Sequence, residues 1–550
     1  MNKLFYGDNL EILRRDIDKN SIDLCYIDPP FNSKRNYNQI YNNIGKEDKA
    51  QAQAFIDTWE WDDYAEDGFN QILNNTNNVF TRQSIELILG LTKIITKGSL
   101  LAYLIHMTLR IAEIYRVLKP TGSFYLHCDS TASHYLKIIL DAIFCARKGE
   151  YQNEIIWVRS TNPKGSQYDN KKYSPFTDTI FYYTKTEDAY LNVDAIRRPL
   201  TKEQMKNKYD RVDKIGDFTD GPIIRGASMG ERPNLVYEYK GYTPDAFGWR
   251  VEKSKLEEID VKGNLGWSNN GKPYRKLRPQ DDKGEPVGNF WNDISLLNSQ
   301  AAERLGYPTQ KPEALLERII KASSQEGDII LDAYCGCGTS VSVAQRLKRK
   351  WVGIDITYQS ISVILKRLEE TFGKAVIENI QLNGIPKDMD SAIALANKKD
   401  DRTRKEFEKW AVLTYSNNKG LINERKGADH GIDGIAYIME GTDKFRDVLF
   451  SVKSGHSSLS HFRDFCHVVK RDDAALGIYL TLDEPTKPMK AEATKMGKYI
   501  NPLTEQEFDK VSIVTVKQLL GGERLNIPTS VNVLKKAEIT KNNNQHKLDF

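Results

Sequence analysis

The stretch DIILDAYCGCGTSVSVAQRLKRKWVGIDI, residues 328–356, leaves a chain few ways to fold. An apolar run is followed by a glycine loop, a helical pattern and a second apolar run. Strands that alternate with helices of this length imply a mostly parallel sheet covered on both faces. Gly336 and Gly338 let the backbone turn tightly and approach a ligand, because side chains there would fill the space. Asp332 ends the first strand, where open α/β sheets place their ligand crevice. Asp355, about twenty residues on, stands at the tip of the next strand, the usual place for a carboxylate that accepts from a ribose diol. The three-glycine spacing of dinucleotide binders is absent, and no GKS or GKT follows for nucleotide phosphates. A tight strand-to-helix turn without a ligand is the plain alternative.

The same α/β texture fills residues 1–190. SIDLCYIDPPF reads as a buried strand over 22–27 that ends in an Asp-Pro-Pro turn. SLLAYLIHMTLRIAEIYRV reads as a helix, stopped by Lys119-Pro120-Thr121-Gly122 before a strand over 123–127. SHYLKIILDAIF is a further helix, and NEIIWVRS and DTIFYYTK are further strands. Residues 191–300 interleave glycine, proline, charge and aromatics without clear periodicity. Residues 301–398 return to α/β, with a helix over 312–324. A final block covers 399–534, and 535–550 is a polar tail with the composition of disorder.

Asp28-Pro29-Pro30-Phe31 carries the sharper chemistry. An exocyclic base amine is a poor nucleophile because its lone pair is delocalised into the ring. A site that alkylates it must hold the two hydrogens and favour the developing cation. The Asp28 carboxylate and the Pro29 carbonyl are two such acceptors, and consecutive prolines fix the carbonyl direction. Phe31 offers a flat face to a base extruded from the duplex. A rigid Pro-Pro turn with no chemistry is the bland reading of the tetrapeptide alone.

Taken together, the two motifs resemble the DNA amino-methyltransferases of the β group, in which the catalytic motif precedes the cofactor motif. Asp28-Pro29-Pro30-Phe31 matches that family's (D/N/S)PP(Y/F/W). Asp332, Tyr334, Gly336 and Gly338 match its D-x-F-x-G-x-G, with tyrosine for phenylalanine, and Thr339 follows. Asp355 matches the acid ending the next strand. GYPTQKPEALLERII, residues 306–320, looks like the segment that precedes the cofactor strand. Gly7-Asp8 resembles the strand end beside the cofactor's adenine.

The resemblance implies a Rossmann-like, seven-stranded sheet with circularly permuted motif order. Residues 1–190 would form its catalytic half and 301–398 its S-adenosylmethionine-binding half, with an irregular target-recognition region over 191–300. Asp28, Pro29, Pro30 and Phe31 would be catalytic. Asp8, Asp332, Tyr334, Gly336, Gly338, Thr339 and Asp355 would bind S-adenosylmethionine. An aspartate at the first motif position is commoner with adenine N6 and a serine with cytosine N4, so adenine N6 is favoured and cytosine N4 is the alternative. Double-stranded DNA is the implied substrate, and a homodimer or a restriction subunit are possible partners. In the middle block, arginines and lysines (Arg225, Arg232, Lys240, Arg250, Lys272, Arg275, Lys276, Arg278) alternate with Tyr237, Tyr239, Tyr242, Trp249, Trp267 and Tyr274. Such cations and rings suit a DNA-reading surface, or equally a domain whose aromatics are core.

KGADHGIDGIAYI followed by DVLFSVKSG resembles the Mrr-type branch of the restriction-endonuclease fold, an α/β domain over 399–534. Asp433 would match its metal-binding acid and Lys453 its lysine, with Glu424 and the helix KEFEKWAVLTY opening the domain. Mg²⁺ would then polarise a phosphate, and the chain would be a single-chain restriction-modification protein. Ser451 stands two places before Lys453, where that branch usually has Glu, Asp or Gln, so cleavage competes with a DNA-binding or degenerate domain.

Composition sets outer limits. With 79 Lys and Arg against 75 Asp and Glu, a net charge of +4 makes no general basic coat, so DNA contacts must come from local patches. No apolar run approaches a membrane span, and MNKLFYGDNLEIL meets an acid too early for a signal peptide. Six cysteines without zinc-ligand spacing suggest a reducing, cytoplasmic setting. His127, Cys128 and Asp129 invite a metal reading, but a strand end packed beside the catalytic turn is the simpler one. His106 and His134 read as helix residues.

Overall fold

A computed structural model describes residues 1–30, 36–39, 52–56, 59, 61–160, 173, 175–297, 301, 303–305, 310–386, 388–397, 401–417, 419–422, 431–441, 444–455 and 457–527. Phe31, Glu424 and the tail from 535 lie outside the described residues. The chain forms two compact units, Met1–Leu191 with Asn289–Phe550, and Asn192–Gly288.

The first unit is built on a nine-stranded sheet. Its strands are β1 (Asn2–Tyr6), β2 (Ile22–Ile27), β3 (Leu118–Cys128), β4 (Glu150–Val158), β5 (Thr177–Thr184), β6 (Phe290–Trp291), β7 (Ile329–Asp332), β8 (Lys350–Asp355) and β9 (Ile380–Asn383). They lie in the order β6-β4-β5-β3-β2-β7-β8-β1-β9. Only β5 runs against the others, pairing antiparallel with both β3 and β4. The expected seven strands occupy the interior. Two-residue β6, parallel to β4, and four-residue β9, parallel to β1, extend the edges. Such short strands add backbone hydrogen bonds without a sequence pattern long enough to announce them.

Helix α1 (Asn9–Asp16) follows β1, and α2 (Ser99–Val117) precedes β3. Helix α2 is apolar around most of its circumference, and 14 of its 19 residues are buried. A helix with so little polar surface must be enclosed on nearly every side. Leu101, Leu104, Ile105, Ile111 and Ile114 join Leu13, Ile22, Leu136 and Ile139 in one core. The cofactor-like segment supplies α3 (Glu313–Ser323), α4 (Thr339–Arg346) and α5 (Tyr358–Phe372).

Beyond α5, helix α6 (Asp401–Tyr415) opens a block with its own five-stranded sheet. The strands are β10 (Leu421–Ile422), β11 (Gly434–Gly441), β12 (Lys444–Lys453), β13 (Leu476–Thr481) and β14 (Val511–Thr515), adjacent in that order. Strands β11 and β12 pair antiparallel, and β12, β13 and β14 pair parallel.

The second unit is more regular than its sequence texture suggests. Four short strands, Leu265–Trp267, Pro273–Leu277, Asp217–Gly221 and Arg211–Val212, form an antiparallel sheet. Trp249 is fully buried with Ile223, Leu256, Ile259 and Leu265. Tyr237, Tyr239, Tyr242 and Trp267 pack against that cluster. These rings therefore build the core of the unit, and the stacking role offered for them from sequence does not hold for Trp249. Arg278, 1% exposed, is spent on Asp213, whereas Arg232, Lys240, Arg250 and Lys272 are exposed. Among the described residues no helix is long and apolar enough to cross a membrane.

Candidate active site

Strands β2 and β7 are parallel neighbours, with Leu24 opposite Ile330 and Cys25 opposite Leu331. Their C-terminal ends therefore open at the same edge, bringing Asp28 beside Asp332 although some three hundred residues separate them. The connections from β7 lead to β8 on one side, and those from β2 lead to β3 on the other. The two turns thus flank the switch point at which open α/β sheets form their ligand crevice.

The glycine loop is shaped by carboxylates beneath it. Asp332 accepts the Tyr334 N–H (3.0 Å) on one oxygen and the Ser340 hydroxyl on the other. Asp355 accepts the Gly336 N–H (2.9 Å), the Thr357 N–H (2.9 Å) and the Thr357 hydroxyl (3.1 Å). Gly336 and Gly338 have φ of 49° and 73°, in the left-handed region that favours glycine. A Cβ on Gly338 would lie 2.7 Å from Ile364 Cγ1. Thr339 follows as the buried first residue of α4, and its hydroxyl accepts from Arg367 (3.2 Å).

Asp8 holds the opposite wall. Its Oδ1 caps α1 by accepting the Leu10 N–H (2.8 Å), and its Oδ2 pairs with buried Arg110 (2.8 Å). Arg110 also donates to Asn9 (2.5 Å), which donates to the Ala333 carbonyl (2.8 Å). Asp8 is thereby tied to the base of the glycine loop. Much of its acceptor capacity is already engaged in structure.

Burial pushes the Asp332 carboxyl up to about 7 from 3.8; Asp28 and Asp355 add repulsion, while Ser340 and the Tyr334 N–H oppose it. Asp355 is raised too, burial being the main cause. A carboxyl raised in the folded state favours folding in its protonated form. That contribution is complete below about pH 4 and is lost as pH rises through about 7. Asp332→Asn cannot ionise and keeps groups able to bond Tyr334 and Ser340. Relative to wild type it should gain about 2–4 kcal/mol of stability between about pH 5 and about pH 8. Urea unfolding at the two pH values measures this; parallel behaviour of both proteins would contradict it.

Asp28 is asymmetric. Its Oδ2 pairs with Lys311 at 2.5 Å, with the two side chains 18% and 9% exposed. Its Oδ1 is buried and has no hydrogen-bond partner among the described residues. An acceptor in that state is costly unless something else supplies the donor. Pro29 is buried and Pro30 half-buried.

Aromatic rings stand at this edge as well. Trp59 lies 4.1 Å from the His106 ring and 5.7 Å from Tyr103, centroid to centroid. His106 Nε2 is 3.1 Å from the hydroxyl of Tyr334. Burial pushes the Tyr334 phenol up to about 12, against the lowering effect of Arg110. His106 thus belongs to the loop's surroundings, which its helical spacing did not disclose.

Behind the Asp28 turn, buried His127 bridges the Tyr26 hydroxyl (2.9 Å) and Asp178 (3.3 Å), and Arg159 pairs with Asp178. Burial alone would raise the Asp178 carboxyl, but His127, Lys311 and Arg159 take it below its ordinary value. Among the described residues no group of three or more His, Cys, Asp or Glu side chains could hold a metal ion.

In the C-terminal sheet, Asp433 donates its N–H to the Phe450 carbonyl (2.8 Å), and its carboxylate accepts the Val452 N–H (2.6 Å). Asp433 and Lys453 are thus brought to the same end of β12. Ser451, two places before Lys453, is 1% exposed.

Residues 22–366 match the family model described as DNA methylase. The chain is 31% identical over 274 residues to the type II methyltransferase M.EcaI of Enterobacter cloacae, covering 48% of this chain and 57% of that protein. It is 26% identical over 373 residues to the type III restriction-modification enzyme StyLTI Mod subunit of Salmonella typhimurium, covering 64% and 50%. It is 45% identical over 97 residues to the DNA adenine methyltransferase YhdJ of Escherichia coli, covering 18% and 33%. The matches thus span 57% and 50% of the length of the first two relatives.

Proposed function

Because the family match takes in more than half of its 550 residues, this chain belongs to the DNA methylases, and we propose that it transfers a methyl group from S-adenosylmethionine to N6 of an adenine in double-stranded DNA. The observation that carries this reading is the buried Oδ1 of Asp28, without a hydrogen-bond partner among the described residues, at the edge that also holds the glycine loop. A base amine brings the donor which that oxygen lacks.

Asp28 Oδ1 accepts one N–H of the flipped base, and the Pro29 carbonyl accepts the other. Both acceptors stabilise positive charge as it grows on nitrogen, in a setting where water competes little. Lys311 holds Oδ2 and so fixes which oxygen faces the amine. S-adenosylmethionine, when bound, would supply an electrophilic sulfonium methyl, its S–CH₃ bond breaking as the N–CH₃ bond forms, so that S-adenosylhomocysteine leaves and the surplus amine proton passes by way of Asp28 Oδ1 to solvent. The residues present fit it: Gly336 and Gly338 offer bare backbone, Asp332 and Asp355 shape that backbone from below, and Asp8, Tyr334 and Thr339 line the loop's surroundings. Holding amine and donor in register supplies the remaining advantage.

Adenine is favoured over cytosine N4 by the aspartate at position 28 and by the relative named as an adenine methyltransferase. Single-molecule sequencing of DNA from cells expressing the chain tests this directly. N6-methyladenine at one recurring motif supports the reading; N4-methylcytosine selects the alternative, and unmodified DNA removes both. The relative named as a Mod subunit makes a separate restriction subunit the favoured partner.

In the C-terminal block Asp433 and Lys453 stand at the same end of β12, but the described residues do not fit Mg²⁺. One carboxylate already holds a backbone N–H, and the second acid's place is taken by buried Ser451. Supercoiled unmethylated plasmid incubated with Mg²⁺ should stay intact with wild type and with Lys453→Ala alike. Linear product from wild type alone would establish a nuclease and a single-chain restriction-modification protein.

A further inference from the structure

The family match stops at residue 366, yet a carboxylate on α6 reaches the edge where β1 and β8 end. Glu406 is 8% exposed. Its Oε2 accepts the Tyr6 hydroxyl (2.9 Å) and the Tyr358 N–H (3.4 Å), and its Oε1 accepts Lys409 Nζ (2.9 Å). From the same helix, Thr414 bonds the Tyr358 hydroxyl (2.9 Å).

Both tyrosines adjoin Asp355, the residue at the tip of β8. Tyr6 ends β1 opposite Asp355, and the next residue, Gly7, donates its N–H to the Asp355 carbonyl (2.9 Å). Asp8 follows. Tyr358 begins α5 immediately after Thr357, which donates to the Asp355 carboxylate. The Tyr6 and Tyr358 rings meet edge to face, 6.2 Å apart. One buried acid from the C-terminal block therefore ties together the two chain segments that carry Asp8 and Asp355.

We propose that Glu406 is a positioning residue for S-adenosylmethionine, which makes the first helix of the C-terminal block a structural part of the cofactor site. This rests on the cofactor reading of the sheet edge. A buried carboxylate that accepts several hydrogen bonds fixes its donors more tightly than a neutral group can. Without it, Tyr6 and Tyr358 lose a shared anchor, and the ends of β1 and β8 must be ordered by the ligand instead. Coupling of this kind is reciprocal, so a bound cofactor must steady α6 as much as α6 steadies the site.

The test uses the full chain and S-adenosylhomocysteine as calorimetric probe. Glu406→Ala should raise Kd about tenfold and Tyr6→Phe about threefold, the pair being no worse than Glu406→Ala alone because both remove one interaction. Glu406→Gln, whose amide oxygen still accepts from Tyr6 but carries no charge, should recover part of the loss. The KM for S-adenosylmethionine should follow Kd while kcat changes little. Amide exchange in residues 405–415 should slow on adding the probe to wild type and not to Glu406→Ala. Equal Kd across the variants, with wild type binding, overturns this inference alone. An equal loss in Glu406→Gln and Glu406→Ala together with a lowered melting temperature also overturns it, since Glu406 would then serve folding only. A wild type that fails to bind the probe removes the underlying cofactor reading instead.

Discussion

Asp28→Ala should lower the methylation rate by at least about 10³-fold while leaving cofactor affinity within about twofold. The asymmetry follows from the site. Asp28 Oδ1 is an acceptor waiting for a donor, whereas the glycine loop is shaped by Asp332 and Asp355 without its help. Asp28→Asn keeps one acceptor and loses the charge, so a smaller loss is expected. Asp28→Ala also takes the Asp28 carboxylate away from Lys311, which is 9% exposed and retains only the attraction it shares with Asp178 and its other neighbours. An ammonium left there should cost about 1–3 kcal/mol of stability. Adding Lys311→Met to Asp28→Ala should restore the stability and not the rate. Unfolding curves and tritiated-methyl transfer on the same preparations separate the two effects. Recovery of activity in the double variant would show that the single loss was one of folding.

The second large effect lies in the loop. Gly338 has φ of 73° and a Cβ there would meet Ile364 Cγ1 at 2.7 Å. Gly338→Val faces both a conformational penalty and overpacking. It should destabilise the chain by about 2–4 kcal/mol. Cofactor affinity should fall more than about tenfold because the loop backbone is displaced. Pairing it with Ile364→Ala relieves the clash but not the backbone strain, so only part of the stability should return. Complete recovery would mean that the left-handed conformation is unimportant, contrary to the account.

How much of this was legible in the sequence depended on the range of the signal. Strand 22–27, the Asp-Pro-Pro turn and the strand–loop–helix around Gly336 and Gly338 are local patterns, and the structure has each as an element. Their adjacency came from motif order and is present as the pairing of Cys25 with Leu331. Lys311 went unread because its partner lies 283 positions away and an isolated lysine carries no periodicity. From sequence His106 reads as an ordinary helix residue, since nothing local to α2 points to Tyr334. Glu406 was invisible for the same reason.

In the middle block the sequence leaves two readings open. Interleaved cations and aromatics suit a reading surface or a core equally, and Trp249 with its neighbouring tyrosines folds inward. An aromatic pattern without period does not say which side of a small sheet it faces. The two additional edge strands escaped notice because two and four residues are too few to show alternation. Phe31, expected to stack on the base, lies outside the described residues.

In the proposed function the turn at Asp28 and the loop at Gly336–Gly338 act as one methyl-transfer site. Unmethylated double-stranded DNA incubated with the full chain and trideuteromethyl S-adenosylmethionine, then digested to nucleosides for mass spectrometry, tests it most directly. A trideuteromethyl group is expected on N6 of deoxyadenosine, lost with Asp28→Ala. Label confined to a ring carbon, or equal label in wild type and Asp28→Ala, would contradict it.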